Sequence, residues 1–293
     1  MTQPLTSARA RRPLSAYTRL FGTGDLNPGE RCAIIVAHPA DEVVGAGCLI
    51  SKLVNVSVLH VTDGAPRDTT DATDAGFKEI SDYAEARKQE CLSALALANV
   101  PQDRVVELAI PDHAAPERLA EITKQITSFL QRSGADIVVT HPYEGGHPDH
   151  DATAFATHAA VRLMKHNGFR PPVIFEMALH PSDDGISRVP EFLPGSKTET
   201  TTLLLDAPAQ ALKRRMFDCF DTQRKSLQTS PIGPEKFRRP AEYDFSVPPH
   251  MGRLHYELFD SSIKSEEWQS LARKALADLF SGGGGSGQRN TVT

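Results

Sequence analysis

The hydrophobic positions along the chain change period in a regular alternation. A fully apolar run over 32–37, CAIIVA, has the pattern of a strand buried on both faces. Residues 42–53 then take helical spacing, with glycines and alanines that allow close packing on a sheet, and VSVLHV over 56–61 is a second strand ending in the turn Thr62-Asp63-Gly64. The alternation continues with a helix over 77–97, a strand over 104–110, a helix over 116–131, a strand over 136–140, a helix over 149–165 and a strand over 173–179. Strands separated by helices of this length imply parallel βαβ units with right-handed crossovers. The fold class predicted is α/β, a Rossmann-like open, mostly parallel sheet flanked by helices. Beyond it, 201–205 reads as an edge strand, 207–225 as a helix, 226–262 as an irregular Pro-rich stretch and 266–280 as a last helix. The expected organisation is an N-terminal extension over 1–25, a single α/β domain over 26–282 and a flexible Gly-rich tail over 283–293.

Composition narrows the partners. The chain has 293 residues and a net charge of −5, with no Lys/Arg block, so a nucleic-acid surface is not expected. No apolar run approaches the roughly 20 residues that span a bilayer, and the basic start has no apolar h-region of a secretory signal. Cys32, Cys48, Cys91 and Cys219 are scattered in apolar patterns and read as buried free thiols. A cytoplasmic protein fits these features; a homo-oligomer is compatible with them.

Two histidine-bearing segments stand directly after strands: His38-Pro39-Ala40-Asp41-Glu42 after the first, and His147-Pro148-Asp149-His150 after the fourth. Ligands of open parallel sheets bind at the carboxyl ends of strands, so both segments belong to one rim. His38, Asp41 and His150 then supply two imidazoles and a carboxylate, the donor set of a zinc site with a vacant fourth position; the same donors suit Fe2+. His147 reads as a ligand, a donor behind one, or a general acid, and Asp149 as a ligand, an orienting carboxylate or a helix N-cap. The loop after the first strand, HPADEVVGAG, lacks the Gly-x-Gly-x-x-Gly of a dinucleotide-binding turn.

AHPADE and GGHPDHDAT resemble the AHPDDE and HPDH signatures of the PIG-L/LmbE-like zinc-dependent N-deacetylase superfamily. The resemblance extends over most of 31–180, through VTDGAPRD and the helix with Arg87-Lys88-Gln89-Glu90, and less specifically into 239–257. It implies an LmbE-like fold and a hydrolase that removes an acetyl group from the nitrogen of an amino sugar or related small molecule. It also implies zinc on His38, Asp41 and His150, a proton-donating or oxyanion-stabilising His147, and an Asp149 that orients it; the neighbouring carboxylate is further expected to keep His147 protonated near neutral pH. The family's general base is the first aspartate of AHPDDE; here Ala40 stands at that position. Loss of such a carboxylate costs on the order of 10² to 10⁴ in rate, so activity is expected to be impaired, by an engineered or a natural change. The alternative is a metal- and ligand-binding pseudodeacetylase. Glu42 and Asp149 are the candidate substitute bases, although Glu42 starts a helix and is expected to point elsewhere.

Further rim residues carry two readings each. Arg67 offers a hold on a polar or anionic substrate group or a surface salt bridge, and Asp63 a sugar contact or a turn cap. Tyr143 and Glu144 precede Gly145-Gly146 and read as a moving pocket wall. An Arg87–Glu90 intrahelical pair is favoured over a site role, and His113 and His180 are read as structural. The stretch near Pro248, Pro249 and His250 is either a lid or a surface wrap.

Overall fold

The computed structural model describes residues 20–21, 30–181, 190–193, 198–227, 230, 232–258 and 263–281. The 283–293 tail, most of the 1–25 extension and part of the Pro-rich stretch lie outside these residues. Five parallel strands, β1 (Arg31–Val36), β2 (Asn55–Thr62), β3 (Val105–Ile110), β4 (Ile137–Thr140) and β5 (Val173–Met177), form the body of a seven-stranded sheet. Its order is β3-β2-β1-β4-β5-β9-β8, in which β8 (Thr200–Leu203) and β9 (Glu235–Arg238) run antiparallel to their neighbours. A two-stranded ladder joins β6 (His180–Pro181) to β7 (Pro190–Glu191). The predicted open, mostly parallel α/β sheet is the fold observed.

The apolar run of β1 is explained by its central place. Cys32, Ile34 and Val36 enter one core with residues of α1 (Asp41–Lys52), α3 (Ile80–Leu97) and α6 (Ala207–Phe217). Ala33 and Ile35 enter the other, beneath α4 (Leu119–Ser133), α5 (Pro148–His166) and α8 (Ser265–Phe280). A strand buried on both faces has no polar alternation to show. The described residues also include two short helices, α2 (Thr70–Asp74) and α7 (Arg224–Leu227).

The pairing that matters for chemistry is β1 with β4, in register Cys32↔Ile137, Ala33↔Val138 and Ile34↔Val139. Chain order reverses here, so the loops after β1 and β4 diverge over one crevice, the switch point at which open α/β sheets bind ligands. Each loop leads into a helix whose N-terminus faces that crevice, α1 from the first and α5 from the second.

Helix α1 is broken at Ala46 (φ −145°, ψ 16°), and two buried charges mend the break. Glu235 accepts the amides of Cys48 and Leu49 at 2.7 and 2.9 Å, while Lys213 donates to the Val44 carbonyl at 2.8 Å and to Glu235 at 2.7 Å. The groups orphaned by the break are thereby satisfied. Gly45 packs closely on the sheet, where a Cβ would lie 2.6 Å from Met177 Sδ and would displace that buried side chain.

Candidate metal centre at the switch point

Asp41 is the first residue of α1 and His150 the third of α5, so two helix N-termini each deliver a donor to the crevice. Helix N-termini favour negative charge, which suits the carboxylates gathered here. Three donor atoms form a nearly equilateral triangle: His38 Nδ1 to Asp41 Oδ2 is 3.3 Å, His38 Nδ1 to His150 Nε2 is 3.3 Å, and His150 Nε2 to Asp41 Oδ2 is 3.4 Å. A tetrahedral shell with bonds of ~2.0–2.1 Å separates its ligand atoms by about 3.3 Å, so the triangle has the dimensions of one face of such a shell. The side chains of His38, Asp41 and His150 remain 12, 14 and 10 % exposed, which leaves the open face accessible.

The supports of the triangle come from all around the rim. Asp41 Oδ2 accepts the His38 amide at 2.9 Å. His38 turns Nε2 outward to Asp112 Oδ1 at 2.9 Å and Asp149 Oδ2 at 3.3 Å, which directs Nδ1 into the triangle. Asp112 follows β3 and is a functional candidate that sequence reasoning passed over; its signal is one more acidic residue at a strand end, in IPDH. His141 was passed over as well. It follows β4, lies 3.4 Å from Asp41 Oδ2, stacks on His150 at 4.1 Å between ring centres, and its Nε2 accepts the Ala37 amide. The echo between IIVAHP and IVVTHP was its trace in the sequence.

Burial opposes charge on His38, but Asp112 and Asp41 outweigh it and hold the imidazolium well above its ordinary range. Burial likewise opposes charge on Asp41, which His150 and His38 hold well below the usual carboxylate range. Burial and the neighbouring His141 push His150 down to about 4.

His147 stands beside this triangle, its ring centre 4.8 Å from that of His38 and 4.9 Å from that of His150. The expected link from the Asp149 carboxylate to the His147 ring is absent. His147 is itself the N-cap of α5, its Nδ1 accepting the Asp149 amide at 3.2 Å. The Asp149 side chain, one turn position further, instead reaches His38 and accepts the amides of His113 and Ala115 at 2.7 and 3.2 Å. Nor is His147 held protonated: burial, then the charges of His38 and His150, put it well below its ordinary value. With Nδ1 accepting, the neutral ring carries its proton on Nε2.

Ala40 is buried in the loop between the donors, with φ 101°, ψ −24°. This left-handed backbone disfavours most L-residues but is tolerated best, after glycine, by Asn and Asp. Glu42 does point elsewhere: it is fully buried and its carboxylate accepts from Ala40 N, His60 and Cys91, so it is not placed to serve as a base at the triangle.

The other rim residues are placed as follows. Asp63 caps its turn, accepting the amides of Ala65 and Asp112 at 3.0 and 3.2 Å, and pairs with Arg67 at 2.5 Å. The Tyr143 ring is buried against Trp268 and Phe245, and its hydroxyl donates to the Val247 carbonyl at 2.8 Å. The segment after it wraps onto the same loop, since Tyr256 N donates to Gly145 O and Leu254 fills the space beside Gly145, whose φ is 73°. Arg87 does not pair with Glu90. It donates to the carbonyls of Gly64 and Pro39, bracing the first loop, while Glu90 takes the amide and hydroxyl of Thr222. His113, read as structural, lies against His147 at 5.1 Å between ring centres. The side chain of His180 lies outside the described residues.

Residues 33–161 match the family model PIG-L: GlcNAc-PI de-N-acetylase. Among solved structures, the zinc-inhibited form of a teicoplanin deacetylase is 17 % identical, with a TM-score of 0.55 over 71 % of this chain and 97 % of that one. The pseudoaglycone deacetylase of the antimicrobial A40926 is 19 % identical, with a TM-score of 0.56 over 73 and 99 %. The N,N'-diacetylchitobiose deacetylase of Pyrococcus horikoshii is 21 % identical, with a TM-score of 0.50 over 71 and 83 %. At these identities the likeness establishes the fold. No curated protein matches the chain. Among the described residues, no helix is long and apolar enough to cross a membrane.

Proposed function

We propose that the chain is a zinc-dependent hydrolase acting on the acetylated nitrogen of an amino sugar or related small molecule, with turnover impaired by Ala40, a reading supported by the match of residues 33–161 to the PIG-L family model. The observation that carries this reading is the triangle of His38 Nδ1, Asp41 Oδ2 and His150 Nε2, with edges of 3.3, 3.3 and 3.4 Å. The donor set and spacing fit the cation, and when bound it supplies Lewis-acid polarisation of the amide carbonyl. The amino-sugar class is supported by the family model's description and by the chitobiose deacetylase among the fold neighbours.

The chain's own residues divide the remaining work. Asp112 and Asp149 orient His38 through its outer nitrogen. His147, neutral and protonated on Nε2, is a hydrogen-bond donor for the developing oxyanion, and its proton is available to the departing amine. Asp149 is committed to His38 and to two backbone amides, so it is a poor substitute base. The proton of the attacking water then lacks an acceptor at position 40. This gives the second reading its specific support: the chain as it stands holds metal and ligand with little turnover.

Metal analysis and a deacetylation screen on N-acetylated amino sugars, run on this chain and on Ala40→Asp, test the proposal. It is supported if both proteins lose one equivalent of zinc on His38→Ala/His150→Ala substitution and Ala40→Asp releases acetate. Full zinc content in the double variant would defeat the ligand set, and iron with oxygen consumption would assign the site to a different chemistry.

A further inference from the structure

A second group of metal-ligating side chains lies away from the triangle, contributed by α1, β2 and α3. Glu42, His60 and Cys91 are 0, 3 and 2 % exposed. Their donor atoms converge, with His60 Nε2 3.1 Å from Glu42 Oε2, Cys91 Sγ 3.1 Å from Glu42 Oε1, and Cys91 Sγ 3.6 Å from His60 Nε2. Three ionisable groups in an apolar interior are costly to bury, and His60 sits between the fully buried Leu59 and Val61. The catalytic reading uses neither His60 nor Cys91. Both line a cavity of about 390 Å³, together with Pro39, Lys88 and Glu107, so the cluster has a path by which an ion arrives.

The geometry points to a second cation site, formed by Glu42, His60 and Cys91, that takes a thiophilic divalent ion of the zinc class. Thiolate, imidazole and carboxylate are all zinc donors, and the sulfur disfavours magnesium and calcium. With Zn–S near 2.3 Å and Zn–N near 2.0 Å, a tetrahedral shell separates sulfur from nitrogen by about 3.5 Å, close to the 3.6 Å between Cys91 and His60. The two 3.1 Å contacts are the hydrogen bonds of the metal-free state, and they lengthen by a few tenths of an ångström as coordination replaces them. On binding, the Cys91 thiol proton passes to solvent as the sulfur–metal bond forms. His60 binds through Nε2 as its ring proton, donated from Nε2 to Glu42 in the metal-free state, moves to Nδ1, and Glu42 exchanges the donors Cys91 and His60 for the ion. The Ala40 amide, which donates to Glu42 Oε2 at 3.2 Å, connects this site to the loop that carries His38 and Asp41.

Cobalt reports on the site because thiolate ligation gives an intense near-ultraviolet charge-transfer band that nitrogen and oxygen ligands do not. The full chain, stripped with a chelator, is titrated with Co2+ while absorbance and bound cobalt are followed. The expected result is a band that saturates at one equivalent within a larger total uptake. Cys91→Ala should abolish the band and one equivalent, with Cys32, Cys48 and Cys219 left in place as internal controls. His38→Ala/His150→Ala should keep the band, which separates this site from the triangle even if the deacetylase reading fails. A titration of the unmutated chain without the band overturns the proposal, whatever the folding of the variants. So does a band that survives in Cys91→Ala.

Discussion

Replacing Asp112 by Asn tests the organisation of the candidate metal centre at a residue that touches His38 but none of the three donor atoms. Its Oδ1 lies 2.9 Å from His38 Nε2, so the imidazole is gripped by a carboxylate on the side away from the triangle. Substituting such an outer partner costs about 10- to 100-fold in metal affinity, or roughly 1.4–2.7 kcal/mol. Two features place Asp112→Asn near the lower end. Asparagine keeps an oxygen that accepts from Nε2, and Asp149 Oδ2 already stands 3.3 Å from the same nitrogen. The single variant should therefore weaken zinc binding about tenfold, and Asp112→Asn/Asp149→Asn about a hundredfold, through loss of both charges. Competition with a chelator of known affinity measures this, with thermal unfolding of the metal-free proteins as the control for folding. An affinity within about threefold of wild type for the double variant would refute the outer-support role. Complete loss of zinc in the single variant would refute it from the other side, because Asp112 and Asp149 also form a potential donor set with His38.

Ala40→Asp should raise deacetylation by about 10²- to 10⁴-fold at unchanged zinc content, and a steady-state rate no higher than that of the parent would remove position 40 from proton transfer. In that background His147→Ala should lower kcat by roughly 10²-fold with metal retained; loss of metal would make His147 a ligand. Glu144→Gln should flatten the pH dependence of stability. Burial pushes Glu144 up to about 8, so the folded state keeps a proton that the unfolded chain releases near 4.5. Stability contributed by that proton is present at low pH and is lost as pH rises from about 4.5 to 8, at up to ~1.4 kcal/mol per unit. Urea unfolding at several pH values checks it, and parallel profiles for the two proteins would reject it.

The parts of the fold that were legible are those where burial leaves no choice of residue. β1 and β4 read as apolar runs, CAIIV and IVV, because helices cover both faces, while β2 keeps the apolar residues Val56, Val58, Leu59 and Val61 between polar ones. β9 was not legible. Its sequence EKFR carries one buried apolar residue, Phe237, while Glu235 and Arg238 are buried through ion pairs with Lys213 and Glu176. A strand built on paired charges has no hydrophobic period to find. The helix expected over 207–225 stops at Phe217, and a turn intervenes before α7. At the site, the motifs yielded residues near in sequence, whereas Asp112 and His141 enter through sheet order and required the structure.

The same geometry explains how position 40 can lack a carboxylate without dismantling the site. Ala40 donates its amide to Glu42, and no side-chain hydrogen bond from it caps α1. The supports of the triangle run elsewhere: Asp41 is held by the His38 amide, His38 by Asp112 and Asp149, and Asp149 by the amides of His113 and Ala115. The loop backbone is braced separately by Arg87 at the Pro39 carbonyl. Donor geometry is thus over-determined by groups that do not involve the side chain at 40. Meanwhile the backbone at 40, with φ 101°, stays in a region that costs alanine on the order of 1 kcal/mol and that aspartate tolerates better. The positive φ at position 40 is therefore no obstacle specific to aspartate. Ala40→Asp should accordingly be accommodated without rearrangement of His38, Asp41 or His150.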